Sequence, residues 1–166
     1  GVIKMEVERN TGPENNFLQK VRKLATERSI VLIFDECTSG FRETFGGIHK
    51  KYDVEPDMAM FGKALGNGYA ITAVIGRREI MNEAQNTFIS STFWTERIGP
   101  TAALKTLEVM KREKSWEKIT QTGKSIRQGW QILADKYDLP ITHWGLPSLT
   151  GFTFESSRAL EYKSLL

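Results

Sequence analysis

Cysteine, histidine and long apolar runs are what this 166-residue sequence has least of. Its one cysteine, Cys37, excludes an intrachain disulfide and a thiolate zinc cluster. His49 and His143 are too isolated in sequence to suggest a metal centre, so no metal is expected and each reads as a packed or surface residue. No apolar run approaches the roughly 20 residues that a membrane-spanning helix needs. Gly1-Val2-Ile3-Lys4 lacks the charged start and apolar stretch of a secretory signal, so a reduced, cytoplasmic compartment is expected. An excess of one charge is missing too. The net charge is +3, and the basic residues are scattered in short clusters such as Arg77-Arg78 and Lys111-Arg112, which gives no footprint for nucleic acid. With 40% apolar and 26% charged residues, a packed core rather than disorder is expected.

The length suits one domain, or one domain and part of a second. Val2 to Val7 already reads as a strand without a preceding start methionine, and Leu160 to Leu166 follows closely on another strand-like run. A piece of a longer protein is the expectation. Gly12-Pro13 is a turn. Phe17, Leu18, Val21, Leu24 and Ala25 then recur at helical spacing, predicting an amphipathic helix over 14–28. Ile30 to Phe34 is a short, uninterrupted apolar run of the kind buried on both faces in a parallel sheet, and it stops at Asp35-Glu36. Met58 to Phe61 is a second such strand, ending at Gly62-Lys63, and Ile71 to Ile75 a third. A helix led by Pro100 and another capped by Ser115 follow, with Trp116 and Trp130 suited to a helix core. Beyond Pro140, Ile141–Trp144 and Gly151–Phe154 read as strands of a different unit. The division is set at residue 138, giving units 1–138 and 139–166.

Strands alternating with helices predict an α/β layer fold, in which ligands gather outside the carboxyl ends of the strands. Those ends carry Asp35, Glu36 and Lys63. An Asp-Glu pair after an apolar strand could serve magnesium in an ATPase. That requires a G-x-x-x-x-G-K-[ST] loop, but Asp57 stands where the first glycine belongs and Ala64 follows the lysine. The dinucleotide pattern G-x-G-x-x-G also fails, because Ile71 takes the third glycine position after Gly66 and Gly68. The other reading centres on Lys63. An amine at a strand end between small residues is partly desolvated and available for Schiff-base chemistry. A carboxylate at a neighbouring strand end can keep a pyridine nitrogen protonated, and the two together point to pyridoxal phosphate.

Several stretches carry a resemblance in the right order. Leu32-Ile33-Phe34-Asp35-Glu36 with Ser39-Gly40-Phe41-Arg42 resembles the aspartate motif of class III pyridoxal-phosphate aminotransferases. Val54-Glu55-Pro56-Asp57 leading to Phe61-Gly62-Lys63-Ala64-Leu65-Gly66-Asn67-Gly68 is similar to that family's lysine motif. Met5 to Asn10 and Gly12-Pro13 also fit, and the branch it looks most like is that of the glutamate-1-semialdehyde aminomutases.

The resemblance implies a fold type I large domain, a parallel-rich sheet between helices, followed by the start of a small C-terminal domain. It implies pyridoxal 5'-phosphate as cofactor, with Lys63 as the catalytic lysine bound to its aldehyde and moving the proton at the substrate α-carbon. Asp35 would pair with the ring nitrogen, and Thr38 would lie beside the ring hydroxyl. Ser91-Thr92-Phe93 is similar to the segment that reaches the cofactor phosphate of a partner subunit, implying a homodimer with shared active sites. Small hydroxyl residues ahead of a helix led by Pro100 could present both hydroxyl and amide donors to that anion. The substrate implied is a small amino-acid or amino-sugar-like molecule, and the reaction is amino transfer or its intramolecular mutase form. A chain of this length alone is expected to lack turnover. Two departures stand out. Cys37 occupies a position where the family usually has valine and reads as a small packing residue. Trp94-Thr95-Glu96-Arg97-Ile98-Gly99-Pro100 replaces the usual continuation after Phe93. Glu6 matches a family glutamate near the substrate, and is equally well read as a sheet-edge carboxylate.

Overall fold

The computed structural model describes residues 1–165. Four strands form one sheet: β1 (Val2–Glu6), β2 (Val31–Asp35), β3 (Met58–Phe61) and β4 (Ala73–Gly76), adjacent in that order. The first three are parallel and β4 returns antiparallel to β3. Helix α1 (Phe17–Glu27) connects β1 to β2. After β4 come the single turn α2 (Arg78–Met81), then α3 (Ile98–Glu113) and the long α4 (Ser115–Lys136). β5 (Ile141–Trp144) and β6 (Gly151–Phe154) pair antiparallel as a separate sheet, and α5 (Ala159–Lys163) follows.

Period-two alternation decides which sheet face is core. Leu32 and Phe34 of β2 pack with Leu18 and Ala25 of α1, and with Val7, Ile48 and Val54. Ala59 and Phe61 of β3 pack with Phe41, Leu65 and Ala103 of α3. The opposite residues, Ile33, Asp35, Met58 and Met60, are only half-buried. The apolar run of β2 therefore has one face in a core and the other half-open among the described residues. Asp57 ties the layers together: it accepts the Leu32 N–H at 2.8 Å and pairs with Arg22 at 2.9 Å and Arg77 at 3.1 Å. Burial pushes its carboxyl up, but the N–H and the two guanidiniums outweigh that and hold it below the usual range.

Besides one-residue shifts in β1 and β2, four boundaries differ from those predicted. α1 starts at Phe17 because Asn15 and Asn16 turn left-handed (φ 52° and 56°), which a helix cannot continue through. β4 begins at Ala73, since Ile71 is drawn into the α3 core instead of the sheet. α3 starts two residues before Pro100, which is tolerated in a first turn that has no use for its missing N–H. Ser115 does not cap α4. It is the first helical residue, and the left-handed Lys114 (φ 47°) makes the one-residue link from α3, leaving the Ser115 hydroxyl buried without a partner. The strand ranges 141–144 and 151–154 agree with those predicted.

The hairpin is fastened to the rest. Leu146 enters the core with Leu18 and Phe34, and the Gly145 N–H donates to Asn10 O at 2.9 Å. Arg127 of α4 donates to Thr150 Oγ1 and to the carbonyls of Trp144 and Gly145. Gly123 lets the Pro147–Leu149 turn lie directly on α4: a Cβ there would stand 1.8 Å from the Pro147 carbonyl oxygen. Gly123→Ala should gain roughly 1 kcal/mol of helix preference and lose about 1–3 kcal/mol to overpacking. A net drop in the denaturation midpoint of the full-length protein is expected. An unchanged or raised midpoint would mean that the turn yields freely.

Candidate active site at the strand ends

β2 and β3 are parallel neighbours, so Asp35 and the Gly62-Lys63 pair leave the sheet at the same end. The chain turns sharply at Lys63, whose φ of 35° lies in the left-handed region. Such a conformation costs a non-glycine residue about 1–3 kcal/mol and is found where surroundings impose it, often at functional sites. The turn is held by Leu65 N–H to Gly62 O at 2.8 Å and Asn67 N–H to Lys63 O at 3.1 Å. The Lys63 ammonium donates to Thr38 Oγ1 at 2.6 Å.

Asp35 accepts the Cys37 N–H on Oδ1 at 3.1 Å and the Lys4 ammonium on Oδ2 at 2.7 Å. The Lys4 contact is the main reason its carboxyl lies below the usual range. Burial opposes this and the Cys37 N–H adds to it. Burial pushes the Cys37 thiol up, Asp35 pushes it further, and Lys63 and Lys4 act against both. Cys37 therefore senses Asp35, Lys63 and Lys4 together. A raised thiol suits packing and not nucleophilic attack.

The structure thus brings Lys63, Thr38 and Asp35 into one neighbourhood. It corrects the expected desolvation of Lys63, which is exposed. The small residues Gly62 and Ala64 do not cover it, and it lines an open cleft of about 540 Å³ with Phe41, Arg42, Asn67 and Lys105. Ser91 and Thr92 stand apart: among the described residues no hydrogen bond joins them to the other three, and the Ser91 hydroxyl is turned to the Phe93 N–H at 3.1 Å. Their segment is exposed and aromatic, with Phe88 94% exposed and Phe93 and Trp94 largely so. The expected amide donors of α3 are not free either. Glu96 takes the Ile98 and Gly99 N–H groups, capping the helix with the chain's own carboxylate.

Two groups escaped the sequence reading. The first is Glu36, considered only as a magnesium ligand. It is fully buried, accepting the Ser39 hydroxyl at 2.5 Å and the His49 N–H at 3.1 Å, with His49 Nδ1 2.9 Å away. Burial pushes its carboxyl up, but His49, Ser39 and the Ile48 and His49 backbone outweigh this and hold it below the usual range. A carboxylate so enclosed is not available to a magnesium ion, which disfavours the ATPase reading. Among the described residues no group of three or more His, Cys, Asp or Glu is placed to hold a metal. Gly47 makes the enclosure possible, because a Cβ there would lie 2.3 Å from the His49 ring. The second group is Lys4, whose alternation with Glu6 in an otherwise apolar strand was the available signal.

Residues 10–161 match the aminotransferase class-III family. The chain belongs to that family. It is 37% identical over 154 residues to a 3-aminobutyryl-CoA aminotransferase of Cloacimonas acidaminovorans (strain Evry), covering 92% of this chain and 37% of that protein. Its fold matches the Sphingopyxis sp. MTA144 FumI protein in its PLP internal aldimine form, with a TM-score of 0.89 at 22% identity over 95% of this chain and 39% of that one. It also matches an S-selective transaminase from Arthrobacter sp. with alanine bound, with a TM-score of 0.65 at 26% identity over 81% of this chain and 30% of that one. The expected fold class, a mixed α/β chain with the parallel-rich sheet of fold type I transaminases, therefore stands. This class III chain spans about two-fifths or less of the length of these relatives. No helix among the described residues is long and apolar enough to cross a membrane.

A carboxyl held below its unfolded value contributes stability above the unfolded pKa and loses it as pH falls through the folded pKa. The Glu36 anchor should thus be in force at neutral pH and fail in acid below the ordinary glutamate range. Glu36→Ala is expected to cost about 3–5 kcal/mol at pH 7, the penalty for breaking a buried pair. Its denaturation midpoint should then vary less with pH in acid than that of the wild type. Parallel acid profiles for the two proteins would refute the anchor.

Proposed function

We propose that this chain carries the lysine-bearing half of a site for amino-group transfer with pyridoxal 5'-phosphate. The observation that carries the reading is the Lys63–Thr38 contact at one strand end with an ionised Asp35 at the next. The donor set fits this cofactor. It offers an amine able to bond an aldehyde, a hydroxyl beside that amine for a ring oxygen, and a carboxylate for a basic ring nitrogen. When bound, the cofactor supplies an aldehyde for the substrate amine and an electron-withdrawing ring. Lys63 holds the cofactor covalently, and its released amine then moves the proton at the substrate α-carbon. Asp35 keeps the ring nitrogen protonated, and Thr38 orients the ring through its oxygen substituent.

The substrate proposed is a small amino compound. The relative named for 3-aminobutyryl-CoA supports transfer between two molecules over the aminomutase form implied by the sequence resemblance. We further propose that residues 139–166 begin a small C-terminal domain, that the protein acts in the cytoplasm, and that it works as a homodimer. In that dimer Ser91 and Thr92 serve the partner's phosphate through the Thr92 hydroxyl and the local backbone, since Glu96 fills the helix end. The 166 residues alone are expected not to turn over.

In the full-length protein, Lys63→Ala should abolish the borohydride-stable cofactor adduct and lower transamination by several orders of magnitude. A stable adduct on another lysine with normal turnover would refute the assignment. A dimer mixing Lys63→Ala and Thr92→Val chains should recover one intact site in two, whereas each homodimer is impaired. Full cofactor occupancy and turnover in a monomer, measured by sedimentation and activity together, would refute shared sites.

A further inference from the structure

Asp35 is not a lone carboxylate waiting for a ring nitrogen. Its Oδ2 is already bonded to an ammonium at 2.7 Å, supplied by the neighbouring strand. The placement follows from register. β1 and β2 are parallel with Glu6 beside Asp35 and Lys4 beside Ile33, so Lys4, Glu6 and Asp35 share one sheet face. It is the half-open face, opposite the α1 core. From two residues back along β1, the long lysine stem reaches forward to Asp35, with its side chain 52% exposed against 20% for Asp35. The charged groups facing Asp35 are thus Lys4 and Glu6 on β1, with Cys37 and Lys63 close by on the segments leaving β2 and β3. Lys4 bonds its Oδ2 through the side-chain ammonium, and Cys37 bonds its Oδ1 through the backbone N–H.

We propose that Lys4 is a positioning residue for the cofactor site: by bonding Asp35 Oδ2 it fixes the carboxylate and moderates its hold on the ring nitrogen. This rests on the cofactor reading given above. A carboxylate has about four acceptor positions. Lys4 and the Cys37 N–H take one on each oxygen, and two remain for a ring N–H. A bound ring nitrogen would then meet a carboxylate already partly neutralised by the Lys4 ammonium. Its proton is held less tightly than by an unpaired aspartate, so the electron sink is set below its maximum strength. The same bond keeps Asp35 ionised and oriented in the cofactor-free protein, so no rotamer search precedes binding.

The test uses full-length protein with Lys4→Met, Lys4→Gln and Lys4→Arg, each also combined with Asp35→Asn. In the cofactor-free proteins, carbon NMR of labelled aspartate should show the Asp35 carboxyl titrating at a higher pH in the Met and Gln variants than in the wild type, because the ammonium that holds it down is gone. Lys4→Arg should restore the wild-type value. Affinities for pyridoxal phosphate and for its 1-deaza analogue, which lacks the ring nitrogen, are then compared. Lys4→Met should shift the preference for the nitrogen-bearing ring several-fold in its favour, and this shift should vanish in the Asp35→Asn background. An Asp35 carboxyl unmoved by Lys4→Met overturns the proposal whether or not cofactor binds. A risen carboxyl with an unaltered ring preference overturns it as well. Failure of the wild-type protein to bind either ring would instead refute the function proposed above, and with it the role of Lys4 toward the cofactor. The Lys4–Asp35 bond would still be read separately by the NMR arm.

Discussion

Glu36 sits at the point where β2 stops being a strand, and its carboxylate is enclosed on every side by donors from its own chain. Its N–H is bonded to Met60 O at 2.8 Å and its carbonyl accepts the Gly40 N–H at 2.8 Å, so both backbone and side chain of one residue are committed. A buried carboxylate left without these donors would cost several kcal/mol. The loop must therefore bring Ser39 and His49 to it, and the course of residues 36–49 is dictated by that requirement. Asp35 and Thr38 are on either side of this fixed point. The backbone from which both side chains leave is thus held by a group buried away from the cleft.

Lys63 is fixed by a comparable constraint from β3. Its left-handed backbone would relax to an extended form if the following turn did not hold it. Two separately anchored segments thus present an amine and a hydroxyl 2.6 Å apart. A site on rigid strand ends, supported from behind by buried bonds, keeps its geometry without help from the ligand. The exposed cleft beside Lys63 shows that rigidity and enclosure are separate achievements. The described residues supply the first and leave the amine open to water.

Much of this was legible in the sequence, for identifiable reasons. β2 and β3 are short apolar runs ended by charged residues, and β5 and β6 are bounded by Pro140 and glycine, so their limits needed only local information. The juxtaposition of Asp35 and Lys63 followed from strand order alone. What escaped depended on contacts remote in sequence. Ser115 has the composition of a cap, but the Lys114 turn that excludes it is set by how α3 and α4 pack. Glu36 and His49 are thirteen positions apart, and neither residue type announces a buried pair. Lys4 was visible as a charge in an apolar strand, but its partner could be named only once the register of β1 against β2 was known. Glu96 was noted as part of an unusual stretch, and only the start of α3 at Ile98 revealed it as a cap.

Leu146 and the Gly145 N–H give the hairpin a mechanical role. Leu146 is a peg in the α1–β2 core, the N–H ties the hairpin to Asn10, and Arg127 and the Gly123–Pro147 contact clasp it to α4. The hairpin cannot swing as a free lever. Any rotation of it must pivot about the peg and drag the loop that leaves β1 four residues beyond Glu6. A load on the C-terminal strands is thereby transmitted as a pull along β1, on the same strand whose Lys4 grips Asp35.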